Sequence, residues 1–143
     1  MSKDWNLEIL KEWRDLNFYY KTDENSWYFY GSRKGIQNLS EIIYNYSQDE
    51  LNIEISEHEH LGWYEYLKIV TWDKPTIQRD GFYGTLDNLK ELSLMIKNKL
   101  IDKVSGDSFS IDNEYGIDNS FRTKFTIMDD SFDPASLDKN LTN

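Results

Sequence analysis

Several residue types and patterns are scarce or missing in this chain of 143 residues, and each absence excludes a class of structure or function. The chain has no cysteine, which excludes disulfides, a thiolate metal site and a cysteine nucleophile, and favours a reducing compartment. No apolar run approaches the length of a membrane-spanning helix, and the charged N-terminus lacks a signal-peptide pattern. We therefore expect a soluble, cytoplasmic protein that does not bind a membrane.

Histidine is also scarce, and the common catalytic and nucleotide-binding patterns are missing. The two histidines stand in the run Glu57-His58-Glu59-His60, which leaves little material for a histidine-dependent nucleophilic triad. A metal site on His58 and His60 needs at least one further ligand, so we expect paired or surface histidines there. The turns at Gly31 and Gly84 lack the residues of a phosphate loop or a dinucleotide fingerprint. We predict no enzyme, no catalytic residue, no metal and no cofactor.

Positive charge is outnumbered by negative charge. The chain has 16 lysines and arginines against 26 aspartates and glutamates, which gives a net charge of −10. This balance disfavours binding to DNA, RNA or anionic lipid. It favours either a basic protein partner or simple solubility, and the charge alone leaves both interpretations open.

The most informative feature that is present is an internal repeat. Phe29-Tyr30-Gly31-Ser32 returns as Phe82-Tyr83-Gly84-Thr85, at an offset of 53 positions. Aligned without a gap, residues 29–48 and 82–101 share seven identities in twenty positions, which indicates a duplicated unit. The chain therefore consists of two similar half-units.

These half-units are too small to bury separate cores, so we expect them to share one. With five Trp, ten Tyr and seven Phe against seven Gly and two Pro, the chain has the apolar side chains that a common core needs. We predict a single domain over residues 1–143, with half-units of about 17–73 and 74–129 and an acidic tail, 130–143, that frays.

Helical spacing of apolar residues predicts three helices. The first is a short N-terminal helix over residues 4–16, and Ser32 and Thr85 stand before the other two as N-caps. The apolar stripes are Trp5, Ile9, Trp13 and Leu16, then Ile36, Leu39, Ile43 and Tyr46, then Leu89, Leu92, Ile96 and Leu100. Each stripe predicts one buried helix face.

Aromatic and β-branched runs between the helices predict strands. Residues 17–21 and 26–30 predict a hairpin. Leu51, Ile53 and Ile55 alternate with polar residues, which predicts a half-buried strand. Further strands are predicted at residues 63–72, 77–83, 109–111 and 121–127.

These elements predict an α+β fold. We expect a two-layer sandwich: a mostly antiparallel sheet with the two main helices on one face, a pseudo-twofold axis between the duplicated halves, and a short N-terminal helix. The other sheet face then stays open. Aromatic residues outside the core either line a concave binding surface there or pair across strands, and they include Tyr28, Tyr64, Tyr66 and Trp72.

One stretch resembles a known family. The pattern Tyr30-Gly31-Ser32-x-x-Gly35-Ile36-x-x-Leu39, followed by His58-x-His60-Leu61 and a strand at 67–70, is similar to that of small bacterial immunity proteins of polymorphic-toxin systems, of the contact-dependent inhibition type. The resemblance implies a non-enzymatic cytoplasmic protein that binds and neutralises a cognate toxin domain. Many such toxins are nucleases with basic active surfaces, which suits an acidic partner.

These observations favour an immunity protein that occludes the active surface of a basic, nuclease-type toxin. An acidic face would steer association, and aromatic residues at the interface centre would slow dissociation. We expect the partner-binding residues in or beside loops and strand ends: Trp63, Tyr64, Asp112, Glu114, Tyr115, Asp118, Asp129 and Asp130. We also expect a monomer or homodimer with no nucleic-acid partner.

Two other classes of function stay open. One is an acidic protein-interaction module, or an inhibitor that mimics nucleic acid with carboxylates spaced like phosphates. The other, ranked last, is a small-ligand-binding protein or an enzyme that uses the cleft between the halves. A thermal-shift screen with metals and nucleotides separates this last class, because a ligand of the native state raises the melting temperature.

Overall fold

The three predicted helices are present in the computed structural model, which describes residues 3–63 and 66–141. Helix α1 is Lys3–Leu16, α2 is Arg33–Gln48 and α3 is Leu86–Leu100. None of these helices is long and apolar enough to cross a membrane. The predicted start of each helix is confirmed to within one residue, and α1 ends at Leu16 as predicted.

Both main helices begin at the predicted caps. The Ser32 hydroxyl accepts a hydrogen bond from the backbone N–H of Gly35 at 3.2 Å. Thr85 and Asn88 satisfy each other's backbone N–H groups at 2.9 and 3.1 Å, which is a capping box. The predicted apolar stripes of α2 and α3 are buried, and the two helices pack side by side.

Strands in the described part of the chain form two four-stranded sheets, ordered β1-β2-β8-β7 and β3-β4-β6-β5. The strands are β1 Tyr19–Thr22, β2 Ser26–Gly31, β3 His58–Leu61, β4 Leu67–Thr71, β5 Thr76–Gln78, β6 Gly81–Gly84, β7 Ser108–Phe109 and β8 Arg122–Ile127. The central pairs β2–β8 and β4–β6 are parallel, and the outer pairs are antiparallel.

The two sheets have the same topology. Each combines the first hairpin of one half with the last hairpin of the other, because β1-β2 pairs with β8-β7 and β5-β6 pairs with β4-β3. The predicted α+β class is confirmed. The strands form two mixed sheets and not the one sheet that we predicted, because periodicity identifies strands but not their partners. The matching topology of the two sheets parallels the sequence repeat. That the two halves descend from a duplicated unit stays a prediction.

A stack of aromatic rings joins the two sheets. Phe29 of β2 stacks on Phe125 of β8 and on Phe82 of β6, with ring centroids 4.6 and 6.0 Å apart. Beside them, the Trp27 indole N–H donates to the carbonyl of Gln78 at 2.8 Å. The two halves therefore bury one continuous core between them.

The predicted single strand over residues 77–83 is wrong, because the chain turns between β5 and β6 at residues 79–80. Gly81 follows this turn at φ +150°, and a Cβ there would lie 1.9 Å from the carbonyl oxygen of Lys68. Only glycine fits that close approach. The predicted strand at 63–72 includes β4, and its residues 64 and 65 lie outside the described part of the chain.

The acidic tail packs against α1 instead of fraying, at least as far as residue 141. It forms two 3-10 turns, Pro134–Leu137 and Lys139–Leu141. The buried carboxylate of Asp138 accepts a hydrogen bond from the Trp13 indole at 2.9 Å, and Arg14 pairs with Asp133 at 2.8 Å. Charged residues thus bind the tail to the domain.

The predicted strand on Leu51, Ile53 and Ile55 is also wrong. Residues 49–57 connect α2 to β3, with a 3-10 turn at Glu50–Asn52, and we call this segment the α2–β3 loop. The alternating aliphatic residues therefore have no sheet to pack on. Their exposure makes this loop the starting point for a functional site.

Candidate protein-binding surface

The α2–β3 loop exposes three large aliphatic side chains. Leu51 is 83% exposed, Ile53 is 64% exposed and Ile55 is 53% exposed. Burying one such side chain is worth about 1.5–3 kcal/mol, so leaving three neighbouring ones in water is costly unless a partner covers them. Single exposed apolar residues are common, but three in five positions mark a candidate interface.

Hydrogen bonds hold the loop backbone in one conformation. The Tyr46 hydroxyl donates to the Glu57 carbonyl at 2.8 Å, and the Thr71 hydroxyl donates to the Asn52 carbonyl at 2.5 Å. The side-chain amide of Asn52 donates to the Tyr46 carbonyl at 2.9 Å. The Ser56 N–H donates to the Thr71 carbonyl, also at 2.9 Å. An ordered backbone lowers the entropic cost of binding, so the loop is preorganised for recognition.

Burial keeps the main anchor protonated. The Tyr46 side chain is buried, and this desolvation raises the pKa of its hydroxyl above the ordinary value for tyrosine. The hydroxyl therefore remains a hydrogen-bond donor throughout the neutral range.

Four carboxylates surround the aliphatic residues of the loop, and all four are exposed: Asp49, Glu50, Glu54 and Glu57. Asp49 caps the 3-10 turn by accepting the N–H of Leu51 at 3.0 Å. Within residues 3–63 and 66–141, none of the four forms an ion pair. The loop itself contains no lysine or arginine that would offset this negative charge.

The equivalent connection in the second half is different. Residues 101–107 join α3 to β7, and they expose Ile101 and Val104 at 68% and 63%. Asp102 there pairs with Lys103 at 2.8 Å, and Arg33 donates to the carbonyls at the end of α3. This connection also exposes aliphatic residues, but Lys103 offsets the negative charge of Asp102. It therefore serves as an internal control for the α2–β3 loop.

A groove of about 510 Å³ runs between the α2–β3 loop and the start of α3, and we call it the Trp72 groove. Its apolar lining includes Ile53, Ile55, Trp72 and Leu86. Glu50 and Asp87 bring carboxylates to it, and Lys90 brings an amine. The surface therefore combines a groove with the exposed aliphatic residues beside it.

Another groove, of about 600 Å³, lies over the second sheet and has a different charge. Lys68, Lys74 and Arg79 line it together with Asp80 and the exposed Asp118. Lys68 pairs with Asp80 at 3.9 Å, and three cations against two carboxylates give this groove an excess of positive charge, which disfavours a basic partner. The Trp72 groove and the loop are the better match for such a partner.

Most of the predicted binding residues between 112 and 118 have structural roles. Tyr115 is 2% exposed and donates to the Tyr83 carbonyl at 2.6 Å, so its side chain lies in the core and not on the surface. Asp112 accepts hydrogen bonds from the Ser110 hydroxyl and from the backbone and hydroxyl of Thr123. Burial disfavours its charged form, but these bonds outweigh burial and lower the pKa of Asp112.

The other predicted acidic residues are exposed and lie on different parts of the chain. Glu114 pairs with Lys99 of α3 at 2.7 Å. Asp129 accepts from the backbone N–H and hydroxyl of Ser131 at 2.7 and 2.5 Å, and so caps a turn. Asp118 and Asp130 are exposed and form no ion pair within the described residues. These four carboxylates therefore share no common set of contacts that would define one binding surface.

The predicted aromatic residues are dispersed. Trp63 is half-buried and packs edge-on against Trp5, with ring centroids 5.7 Å apart. Tyr64 lies outside the described residues. The three residues of the predicted aromatic face that the structure describes have separate contacts: the Tyr28 hydroxyl donates to Asp23, Tyr66 stacks on His60, and Trp72 lines the groove named after it.

The histidines lie on the exposed edge strand β3. The rings of His58 and His60 are 4.8 Å apart between centroids, and Nδ1 of His58 lies 3.0 Å from the Ser56 carbonyl oxygen. Among the described residues, no group of three or more histidines and carboxylates is placed to hold a metal ion.

Sequence reasoning missed Leu51, Ile53 and Ile55 as surface residues because their spacing matches a strand. One signal was available: residues 49–57 contain four carboxylates and no cation, which is an unfavourable composition for a half-buried strand. The exposed aliphatic residues and the dense charge belong to the same nine positions.

No protein-family model, curated protein or solved structure matches the chain. The surface must therefore be interpreted from its own geometry and charge.

Proposed function

We propose that the protein is an immunity protein that binds a cognate, basic toxin domain and neutralises it by occluding its active surface. The α2–β3 loop is the docking surface in this proposal. The observation that carries it is the combination of three exposed aliphatic side chains with a backbone fixed by Tyr46, Thr71 and Asn52.

Charge supports a basic partner. The loop adds four carboxylates without a cation to a chain of net charge −10. Such a surface accelerates association with a positively charged protein and repels other acidic proteins. The resemblance of residues 30–70 to immunity proteins agrees with this chemistry, because toxins that cleave nucleic acid need basic active surfaces.

The mechanism is steric and electrostatic. Carboxylates of the loop would steer the toxin into place, and Leu51, Ile53 and Ile55 would then lose water against an apolar patch between its cations. A toxin surface covered in this way is closed to a polyanionic substrate. This mechanism needs no catalytic residue in the immunity protein.

The first test compares three baits in source cells: the wild-type chain, Leu51→Ser/Ile53→Ser/Ile55→Ser, and the matched control Ile101→Ser/Val104→Ser. A basic protein retained by the wild type is then expressed in a test strain, and growth is measured with each bait. We expect the wild type and the control to restore growth, and the loop variant to fail because it has lost apolar contacts.

Two outcomes would contradict the proposal. One is a captured protein that does not inhibit growth when it is expressed alone. The other is a loop variant that protects cells as well as the wild type does, provided that both chains have the same melting temperature.

A further inference from the structure

The Trp72 groove has two kinds of wall. Ile53 and Ile55 of the loop, Trp72 after β4 and Leu86 at the start of α3 make its apolar lining. Glu50 of the loop and Asp87 of α3 are exposed, and each adds a carboxylate to the lining. A groove lined by both apolar side chains and carboxylates matches a side chain with an apolar stem and a cationic head.

We propose that the Trp72 groove binds an arginine side chain of the partner. The aliphatic stem would lie along Ile53 and Ile55, and the guanidinium would face Trp72 and the carboxylates of Glu50 and Asp87. This inference rests on the proposed function and adds to it the chemistry of the partner's anchor residue.

Arginine fits the groove better than lysine for two physical reasons. A planar guanidinium stacks on an indole ring, and it is more weakly hydrated than an ammonium, so it loses less on leaving water. It also donates several hydrogen bonds in a fixed fork and can bind two carboxylates at once. Trp72 is half-buried, and its ring already meets Tyr83 edge-on at 6.1 Å, which fixes its orientation.

Lys90 is the charged group that opposes this binding. It is exposed, lies one helical turn from Leu86 on α3, and is the one cation that lines the Trp72 groove within the described residues. The N-terminal end of α3 also carries a partial positive charge, which Asp87 offsets. Two carboxylates against one amine leave the groove negative, and removing Lys90 makes it more so.

The test uses the full chain and the acetylated, amidated tripeptide Gly-Arg-Gly, with its citrulline and lysine counterparts as controls. Citrulline has the same shape as arginine without the charge. Methyl and indole signals of Ile53, Ile55 and Trp72 are followed by NMR during titration. We expect saturable shifts with the arginine peptide, and affinities for citrulline and lysine that are weaker by at least about fivefold.

Variants sharpen the test in both directions. We expect Glu50→Gln/Asp87→Asn to weaken arginine binding, Lys90→Gln to strengthen it, and the control Asp118→Asn to leave it unchanged. Equal affinity for arginine and citrulline, equal affinity for arginine and lysine, or shifts that appear away from Ile53, Ile55 and Trp72 would each overturn the assignment. All substituted side chains are exposed, and amide spectra verify the fold of each variant.

This test can fail independently of the proposed function. If the loop variant loses toxin neutralisation while the arginine peptide does not bind, the groove assignment is wrong and the proposed function stands. If the peptide binds in the groove but no captured protein is toxic, the groove assignment stands and the immunity role is wrong.

Discussion

Two acidic segments of this protein use their carboxylates in different ways. In residues 112–130, Asp112 and Asp129 accept hydrogen bonds from their own surroundings, and Glu114 pairs with Lys99. In the α2–β3 loop, Asp49 caps a turn, while Glu50, Glu54 and Glu57 form no ion pair within the described residues. The loop has four carboxylates and no lysine or arginine in nine positions, whereas residues 112–130 have five carboxylates, one arginine and one lysine in nineteen positions.

The difference shows where a recognition surface is found in an acidic chain. Carboxylates that bind internal donors stabilise the fold and are partly neutralised by those donors. Carboxylates without an internal partner, set beside exposed aliphatic residues on a fixed backbone, are left for intermolecular contacts. Internal partners therefore distinguish Asp112, Glu114 and Asp129 from Glu50, Glu54 and Glu57 of the loop. Composition differs as well, because residues 112–130 include Arg122 and Lys124 and the loop has no cation.

The largest expected effect on stability comes from the structural segment. We predict that Asp112→Ala lowers the free energy of unfolding by about 1–3 kcal/mol, because it leaves the half-buried donors of Thr123 and Ser110 unpaired. Glu54→Ala in the loop should change it by less than about 0.5 kcal/mol. Urea denaturation measures both, and equal losses would erase the distinction between the segments.

A smaller effect is expected on association. We predict that Glu50→Lys/Glu54→Lys/Glu57→Lys slows binding to the cognate toxin at low salt by roughly tenfold, because it reverses the steering charge. The double variant Asp118→Lys/Asp130→Lys reverses exposed carboxylates of the other segment and should change the rate by no more than about twofold. Stopped-flow fluorescence at two salt concentrations checks this. A larger effect of the double variant would move the interface to residues 112–130.

The smallest effect at neutral pH is that of tyrosine ionisation on stability, which involves the buried Tyr46 and Tyr115 and the half-buried Tyr83. Burial raises the pKa of Tyr46 and Tyr115, and burial together with the bond to Asp80 raises the pKa of Tyr83 to about 12. Their folded-state pKa values lie above the unfolded value of about 10, so their contribution to stability is complete below pH 10 and is lost as pH rises through the folded values.

Urea midpoints measured from pH 7 to about pH 11 should therefore be flat at first and fall above about pH 10. Tyr115→Phe should reduce the fall, because it removes one of the titrating groups. A midpoint that stays constant to pH 11, or one that falls equally in the variant, would show that these hydroxyls do not control alkaline stability.

Much of the fold could be predicted from local sequence. Ser32 and Thr85 mark helix starts because their hydroxyls satisfy backbone donors, and the apolar stripes of α2 and α3 are set by helical periodicity. Strand partners could not be predicted, because pairing β2 with β8 depends on contacts almost a hundred residues apart. The hairpin at Gly81 was missed because two residues suffice for the turn.

The candidate surface was harder to predict than the fold. Alternation at Leu51, Ile53 and Ile55 has the period of a strand. The decisive difference is made by residues outside the loop, Tyr46 in the last turn of α2 and Thr71 of β4, which hold the backbone in a loop. Conversely, Tyr115 looked accessible beside Gly116 and several carboxylates, yet tertiary packing buries it. Accessibility depends on the whole fold, and the local sequence does not determine it.

The most direct test of the central claim is a hydrogen–deuterium exchange comparison of the free protein and its complex with the captured toxin domain. If the α2–β3 loop is the docking surface, amide exchange in the complex is slower in residues 49–57 and at the start of α3. Exchange in residues 112–130 is then unchanged. Protection of residues 112–130 with unchanged exchange in residues 49–57 would contradict it.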